Sequence, residues 1–307
     1  MKALILGARG AVGSVVQREL GRDGHIVTAA SRTADGDASV DLRGDLAPLA
    51  RLADLHDVIV NASGIERSDV CSVIRQTPFI DISATGPYLD ALRAAAVGPI
   101  VLGAGLVPGL STILAAALGA DPGSEIDVLV MLGAGEQHGP AAVAWTAGLI
   151  GTEVFRPPEG GTVLNLRTSV REAGPDGRTR RYLRADFPDH VLIGAAGGLV
   201  IRSYLTLSSS PMTMALGLIG RMPVLRGALT LAPRIGTDAW HIVARNRQTG
   251  AWQQASGFGQ SEATGRLAAL AATRISGRRR AVAADVVTMA DLVTLNDALE
   301  ALNHAKP

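Results

Sequence analysis

Lysine is almost missing from this 307-residue chain: Lys2 and Lys306, one near each end, are the only two. A Schiff-base lysine in the body of the fold is therefore excluded. A Tyr-x-x-x-Lys proton relay is excluded too, because Tyr88, Tyr182 and Tyr204 are followed four residues later by Leu92, Asp186 and Ser208. Cysteine occurs once, at Cys71, so no internal disulfide can form and nothing argues for secretion. Aromatic residues make up 3% of the chain, which leaves few rings to stack on bases. The net charge is +1, too small to gather nucleic acid, and no nucleic-acid partner is expected. The uncharged run Ala94–Ala120 is broken by Pro99, Pro108 and several glycines, and Ser203–Gly220 by serines and Pro211. Neither reads as a membrane span, so no membrane partner is expected. Met1-Lys2 leads directly into an apolar run, which leaves no room for a signal peptide and predicts a cytoplasmic location.

Glycine, in contrast, is plentiful and is concentrated where it matters. Leu4-Ile5-Leu6-Gly7-Ala8-Arg9-Gly10-Ala11-Val12-Gly13 opens with an apolar run fit for a buried parallel strand and continues with glycines spaced G-x-x-G-x-x-G. An amphipathic run from Val15 to Leu20 then reads as a helix. Gly7 suits the tight turn, Gly10 leaves room for a pyrophosphate, and Gly13 lets helix and strand pack closely. The first helical N–H groups and the helix dipole favour an anion. Gly7, Arg9, Gly10, Ala11, Val12 and Gly13 are the residues expected on the phosphates. A glycine triplet alone is a weak signal. Its place between a strand and a helix, with a second strand following, makes it strong.

The alternation continues as in a doubly wound α/β sheet. Strands are predicted at Lys2–Leu6, His25–Ser31, Ser39–Leu42, Val58–Asn61, Phe79–Ile82 and Pro99–Gly103. Helices are predicted at Ala11–Gly21, Leu46–Leu55, Glu66–Arg75, Tyr88–Ala96 and Leu110–Leu118. The pattern changes near Asp121-Pro122-Gly123. Ile126–Leu132 and Leu199–Leu207 read as strands. Gly174–Gly177 and Gln248–Gly250 read as the turns of two hairpins, over Thr162–Ala185 and His241–Gly257. Helices are predicted at Thr213–Ala232, Glu262–Ile275 and Ala290–Leu302. The expected fold is a Rossmann-type parallel sheet over residues 1–123 and an α+β domain with antiparallel strands over 124–278. A segment 279–307 is expected to return to the first domain.

The end of the second strand separates NAD from NADP. The residues there are Ala29-Ala30-Ser31-Arg32-Thr33, with no acid to hold a ribose 2′-hydroxyl. Arg32 can pair bidentately with a 2′-phosphate, and Ser31 and Thr33 can add donors. NADP(H) is therefore expected, with NAD(H) as the alternative. Asp35 and Asp37 are expected to lie further out, in solvent. Asp41 and Leu42 are candidates beside the adenine. Asn61, Ala62, Ser63 and Gly64 end the fourth strand, and Ser83 and Ala84 the fifth. Gly105 follows the sixth, and all face the crevice where such sheets bind ligands.

Four of these segments, in order, carry a family resemblance: Gly7–Gly13, Val58–Gly64, Phe79-Ile80-Asp81-Ile82-Ser83 and Gly105–Leu110. Over about the first 120 residues the chain resembles the saccharopine dehydrogenase/reductase-like NAD(P)-binding family. The resemblance implies a Rossmann domain joined to a substrate domain, with the nicotinamide facing a cleft between them. It implies an NAD(P)-dependent oxidoreductase acting on an imine or amino acid derivative. The lysine-forming branch of that family uses a lysine, which this chain does not offer, and the chain is short for the glutamate-forming branch. Saccharopine itself is thus not the expected substrate.

Few groups can move a proton near neutral pH. His25 and His56 stand at strand entrances and His304 in the tail, which leaves His138, His190 and His241. His138 lies in Gly133–Pro140, directly after a strand that enters the second domain. Glu136 and His138 are the expected acid–base pair, with Trp145 lining the pocket and Tyr88 as a donor to a carbonyl or imine. Cys71, mid-helix between apolar residues, reads as a buried structural thiol and argues against a semialdehyde dehydrogenase. Histidine spacing offers no zinc motif, and no metal is expected. The expected partner is a small-molecule substrate and, at most, a second copy of the chain. A small polar metabolite is the expected substrate. A non-redox cyclase, lyase or isomerase, or a nucleotide-binding redox sensor, stays open beside the oxidoreductase.

Overall fold

The structure, a computed structural model, describes residues 1–32, 36–135, 140–222, 224, 227, 236–277 and 285–303, with the backbone alone at 140–143. In chain order the elements begin β1 (Lys2–Leu6), α1 (Ala11–Arg22), β2 (Ile26–Ser31), β3 (Ala38–Ser39), α2 (Ala47–Ala53), β4 (Val58–Asn61), α3 (Cys71–Ile74), β5 (Phe79–Asp81), α4 (Gly86–Ala95), β6 (Ile100–Leu102) and α5 (Leu110–Ala116). Then come β7 (Glu125–Leu132), α6 (Pro140–Gly148), β8 (Ser169–Ala173), β9 (Thr179–Arg184), α7 (Ala195–Gly197), β10 (Val200–Leu207), α8 (Ser210–Arg221), β11 (Ala239–Asn246) and β12 (Trp252–Phe258). The chain closes with α9 (Gln260–Gly277), β13 (Val286–Thr288), α10 (Met289–Leu292) and α11 (Leu295–Asn303). Among the described residues no helix is long and apolar enough to cross a membrane.

Two compact units divide these elements, one of Met1–Leu110 with Ser261–Pro307, the other of Ser111–Gln260. In the first, seven strands in the order β13-β6-β5-β4-β1-β2-β3 form a wholly parallel sheet. The apolar runs of β1 and β4 are buried, as strands covered on both faces must be. The chain leaves β1 toward β2 on one side, and β4 lies on the other. The carboxyl ends of β1 and β4 therefore mark the switch point at which such sheets take ligands.

The units differ from the sequence boundaries at α9, which was expected with residues 124–278 but lies in the first unit. A methyl group on Gly265 would sit 2.5 Å from Val15 Cβ, so the glycine lets α9 lie directly on α1. Arg18 on α1 pairs with Glu262 on α9, and Arg266 Nη1 donates to the Leu302 carbonyl at 3.1 Å. Strand β13, three residues long and not predicted, pairs with β6.

Elsewhere the differences have local causes. The helix expected over Glu66–Arg75 is a single 3-10 turn at Ser68–Val70 followed by α3. Arg67 is drawn aside: its guanidinium grips the Asp69 carboxylate at 2.7 and 2.8 Å and donates to the Leu42 and Gly44 carbonyls at 2.9 and 2.7 Å. The last helix is split, because Thr288 and Thr294 each start a new one. Thr288 Oγ1 bonds Asp291 at 2.8 Å and Thr294 Oγ1 bonds Asp297 at 2.8 Å. The Thr-x-x-Asp spacing at both places is a capping signature present in the sequence.

In the second unit the sheet order is β12-β11-β7-β10-β9-β8. It is mixed, since β7 and β10 run parallel while their neighbours run antiparallel. Strand β8 begins at Ser169, not Thr162, after Leu166 takes a φ of 62°. Helix α8 packs on this sheet, where Gly217 meets the Leu183 side chain.

Candidate nucleotide site

At the switch point the turn from β1 into α1 is held by its own backbone. Gly7 N–H donates to the Ala30 carbonyl at 3.1 Å, and Gly10 N–H to the Gly7 carbonyl at 2.9 Å. Gly7 has a φ of +78°, and a methyl group there would lie 2.6 Å from Ser63 Cα. The loops after β1 and β4 thus touch through backbone alone. A methyl on Gly13 would fall 2.2 Å from the Gly7 oxygen. Gly10 differs: it is exposed, and a methyl there would meet only the Gly7 oxygen at 3.2 Å and the Ala62 oxygen at 4.0 Å. Gly10 is also the N-cap of α1, with no side-chain cap and no acid in the first turn. An uncapped helix start behind a glycine cradle fits a pyrophosphate, with Arg9 and Ala11 exposed beside it.

Arg32 stands exposed at the carboxyl end of β2, next to the buried Ser31. Thr33 lies outside the described residues. Asp37 was expected further out in solvent. It is exposed, yet its Oδ2 turns back to accept the Ala29 N–H of β2 at 2.9 Å. Asp41 closes its own turn by accepting the Arg43 N–H at 3.0 Å. Leu42 is buried, and its carbonyl is one of the two held by Arg67.

The loops after β4 and β5 are tied by a carboxylate that the sequence reading passed over. Asp81 is fully buried at the end of β5. It accepts Asn61 Nδ2 at 2.8 Å, the Ser83 N–H at 2.8 Å and the Tyr88 hydroxyl at 2.8 Å. Burial pushes its carboxyl up, against the pull of these donors. Asn61 spends the rest of its amide on Ser63 Oγ at 2.6 Å and the Ile65 carbonyl at 3.2 Å. What the Asn61–Gly64 loop can offer a nucleotide is therefore its backbone. Glu66, exposed beside this cluster, is also shifted upward, by partial desolvation first and by Asp81 after it. A lone acid inside Phe79-Ile80-Asp81-Ile82 is the signal that could have found the cluster.

Tyr88 does not stand ready as a proton donor. Its hydroxyl is committed to Asp81, and burial followed by the Asp81 charge pushes the phenol far above its usual range. Gly105 is buried as well, with Thr264 Cγ2 3.1 Å from where a methyl would be, so it packs under α9. Cys71 is buried and pushed up to about 11 by desolvation, the state of an unreactive thiol.

Glu136 and His138 lie outside the described residues. The other two histidines are placed. His241 is buried, pushed down to about 4 by desolvation and by Arg180, and bonded to the Tyr182 hydroxyl at 2.8 Å. His190 has Nε2 2.6 Å from the Phe155 carbonyl and Nδ1 3.2 Å from the Phe187 carbonyl. Two buried carboxylates accompany it. Asp186 accepts the Phe155 N–H, and Asp189 accepts Ser111 Oγ at 2.7 Å and is pushed up to about 6 by burial. Trp145 stacks on Phe187 with ring centres 4.8 Å apart. Among the described residues no three His, Cys, Asp or Glu side chains come together as a metal site.

No protein-family model matches the chain, and no curated protein matches it. Solved structures do. An apo saccharopine dehydrogenase (L-Glu forming) from Saccharomyces cerevisiae matches over 99% of this chain and 97% of that one, with 12% identity and a TM-score of 0.57. This is a saccharopine dehydrogenase-like fold. A DAP dehydrogenase from C. glutamicum in complex with DAP is also similar, covering 95% of this chain and 94% of that one at 14% identity and a TM-score of 0.48. The saccharopine dehydrogenase-like fold runs nearly end to end, beyond the 120 residues over which sequence motifs carry the resemblance.

Proposed function

We propose that the chain is an NADP(H)-dependent oxidoreductase acting on a small polar metabolite of the imine or amino acid class, other than saccharopine. The observation that carries this reading is the glycine cradle at the carboxyl ends of β1 and β4, open at Gly10 and closed to any side chain at Gly7 and Gly13. Its fold is shared with a protein whose name is that of a dehydrogenase. Bound nicotinamide would supply the hydride chemistry. The uncapped start of α1 would hold the pyrophosphate, and Arg32 would take the 2′-phosphate. Glu136 and His138 are proposed as the acid–base pair on residue type and on their place in sequence after β7.

Titration with both reduced cofactors tests the nucleotide. NADPH should bind more tightly than NADH, and Arg32→Ala should weaken NADPH by about 1.5–3 kcal/mol while leaving NADH unchanged, the loss of a charge-assisted contact. Equal affinities in the unaltered chain would overturn the preference. Turnover is read as NADPH consumption against 2-oxo acids supplied with amines. His138→Ala should slow it roughly 10²–10⁴-fold with NADPH affinity kept. An unchanged rate would remove His138 from the chemistry. Product without a two-hydrogen mass change would favour a non-redox reaction instead.

A further inference from the structure

The second sheet curls on itself. Strand β9 pairs with β10 over only two residues, Leu183 and Arg184, and then leaves it. The β8–β9 hairpin folds back over the sheet, so that Tyr182 reaches His241 on β11, four strands away in the sheet order from β8. Leu129, Tyr182, Tyr204 and Val243 are buried together beneath it, with Val170 of β8 packed against them. Beside this apolar patch lies a crevice of about 210 Å³ lined by Asp127, Glu172, Arg245 and Arg247.

Its four charges are arranged in crossed pairs. Arg247 Nε donates to Asp127 Oδ2 at 2.6 Å, and Arg245 Nη1 donates to Glu172 Oε2 at 2.9 Å. Asp127 is 5% exposed, and its other oxygen, Oδ1, is buried with no hydrogen-bond partner among the described residues. A buried carboxylate oxygen without a donor is costly unless something supplies one. Arg247 makes no bond to Oδ1: its Nε goes to Oδ2, its Nη2 to Tyr204 Oη at 3.3 Å, and its Nη1 lies 3.6 Å from Glu125. Arg245 commits only Nη1 among the described bonds, so its other N–H groups remain for a ligand.

We propose that this crevice binds a free α-amino acid as its zwitterion. The ammonium donates to Asp127 Oδ1 with Glu172 beside it, and the carboxylate accepts from Arg245. A lone anion would meet two carboxylates and a lone cation two guanidinium groups. Only a ligand carrying both charges a short distance apart complements all four. The volume agrees: a cavity of ~150 Å³ holds benzene, so about 210 Å³ takes a small amino acid. Trp252 is exposed on β12, directly opposite Arg245 in the strand register.

The test uses the full chain without nucleotide, by calorimetric titration with glycine, L-alanine and L-glutamine. Two blocked probes accompany them: alaninamide, which lacks the carboxylate, and N-acetyl-L-alanine, which lacks the ammonium. At least one zwitterion should bind saturably, and both blocked probes should bind at least about tenfold more weakly. Glu172→Gln and Arg245→Gln, both at partly exposed positions, should each weaken the zwitterion by at least about tenfold with the melting temperature kept. Asp127→Asn should weaken it most, and the two rim variants decide the matter if that chain does not fold. The proposal is overturned if no zwitterion binds, if a blocked probe binds as tightly, or if binding is indifferent to Glu172→Gln and Arg245→Gln. NADPH titration of the same variants reads the nucleotide site separately, so either reading can fail without the other.

Discussion

Alanine at position 13 is expected to abolish NADPH binding and to cost at least about 3 kcal/mol of stability. Its methyl would lie 2.2 Å from the Gly7 oxygen and 2.8 Å from Ala8 Cα. Both are main-chain atoms of the turn itself, so no side chain can swing away to make room. Relief requires α1 to back off β1, which withdraws the buried Val15, Val16 and Leu20 from their contacts. The same movement re-aims the first-turn N–H groups that would hold the phosphates. Gly21, in the same helix, is the control, because a methyl there meets nothing within 4 Å. Gly21→Ala should be neutral or stabilising by up to about 1 kcal/mol. Urea unfolding and NADPH titration check both variants. A Gly13→Ala chain with ordinary stability and affinity would show that helix and strand do not pack as described.

Asp81→Ala is expected to cost roughly 3 kcal/mol or more, since it strips the acceptor from Asn61 Nδ2, the Ser83 N–H and the Tyr88 hydroxyl at once. The ends of β4 and β5 lose their common tie, so NADPH affinity should fall as well. The effect carries a pH signature. Burial raises the Asp81 carboxyl in the folded state. The folded chain therefore keeps this proton at pH values where the unfolded chain, with an ordinary Asp near pH ~3.9, has released it. Stability from this group is fully present below that value and is lost as pH rises through the raised one. Alanine has no such slope, so the gap between the two chains should be widest in acid and narrow as pH rises. Denaturant midpoints across a pH series measure it. A gap that widens with pH would mean that Asp81 is held ionised, with its pKa depressed by its three donors.

The division between what was legible and what was not follows the range of the interactions. The β1–α1 turn could be read directly, because its glycines are required by contacts within a few residues, Gly13 against Gly7 above all. The alternation that gives the parallel sheet is equally local, since each apolar run is a strand covered on both faces. So are the hairpins β8–β9 and β11–β12, whose turns carry their own glycines. Counting along β2 is likewise enough to set Arg32 at the end of that strand, where it is exposed.

The sequence by itself thus determined the parallel-sheet half, the position of its glycine cradle and the hairpins that follow. Only the tertiary structure decided which elements become neighbours. It put α9 on α1 through Gly265, joined the three-residue β13 to β6, and set β7 parallel to β10. It also turned Asp81 from one acid in an apolar run into the tie between two loops, and brought Asp127, Glu172, Arg245 and Arg247 around one crevice. The physical reason is that hydrophobic periodicity specifies which face of an element is buried, but not what it is buried against. The partner of a lone buried charge is chosen by distance in the folded chain, over separations such as the 73 residues between Glu172 and Arg245.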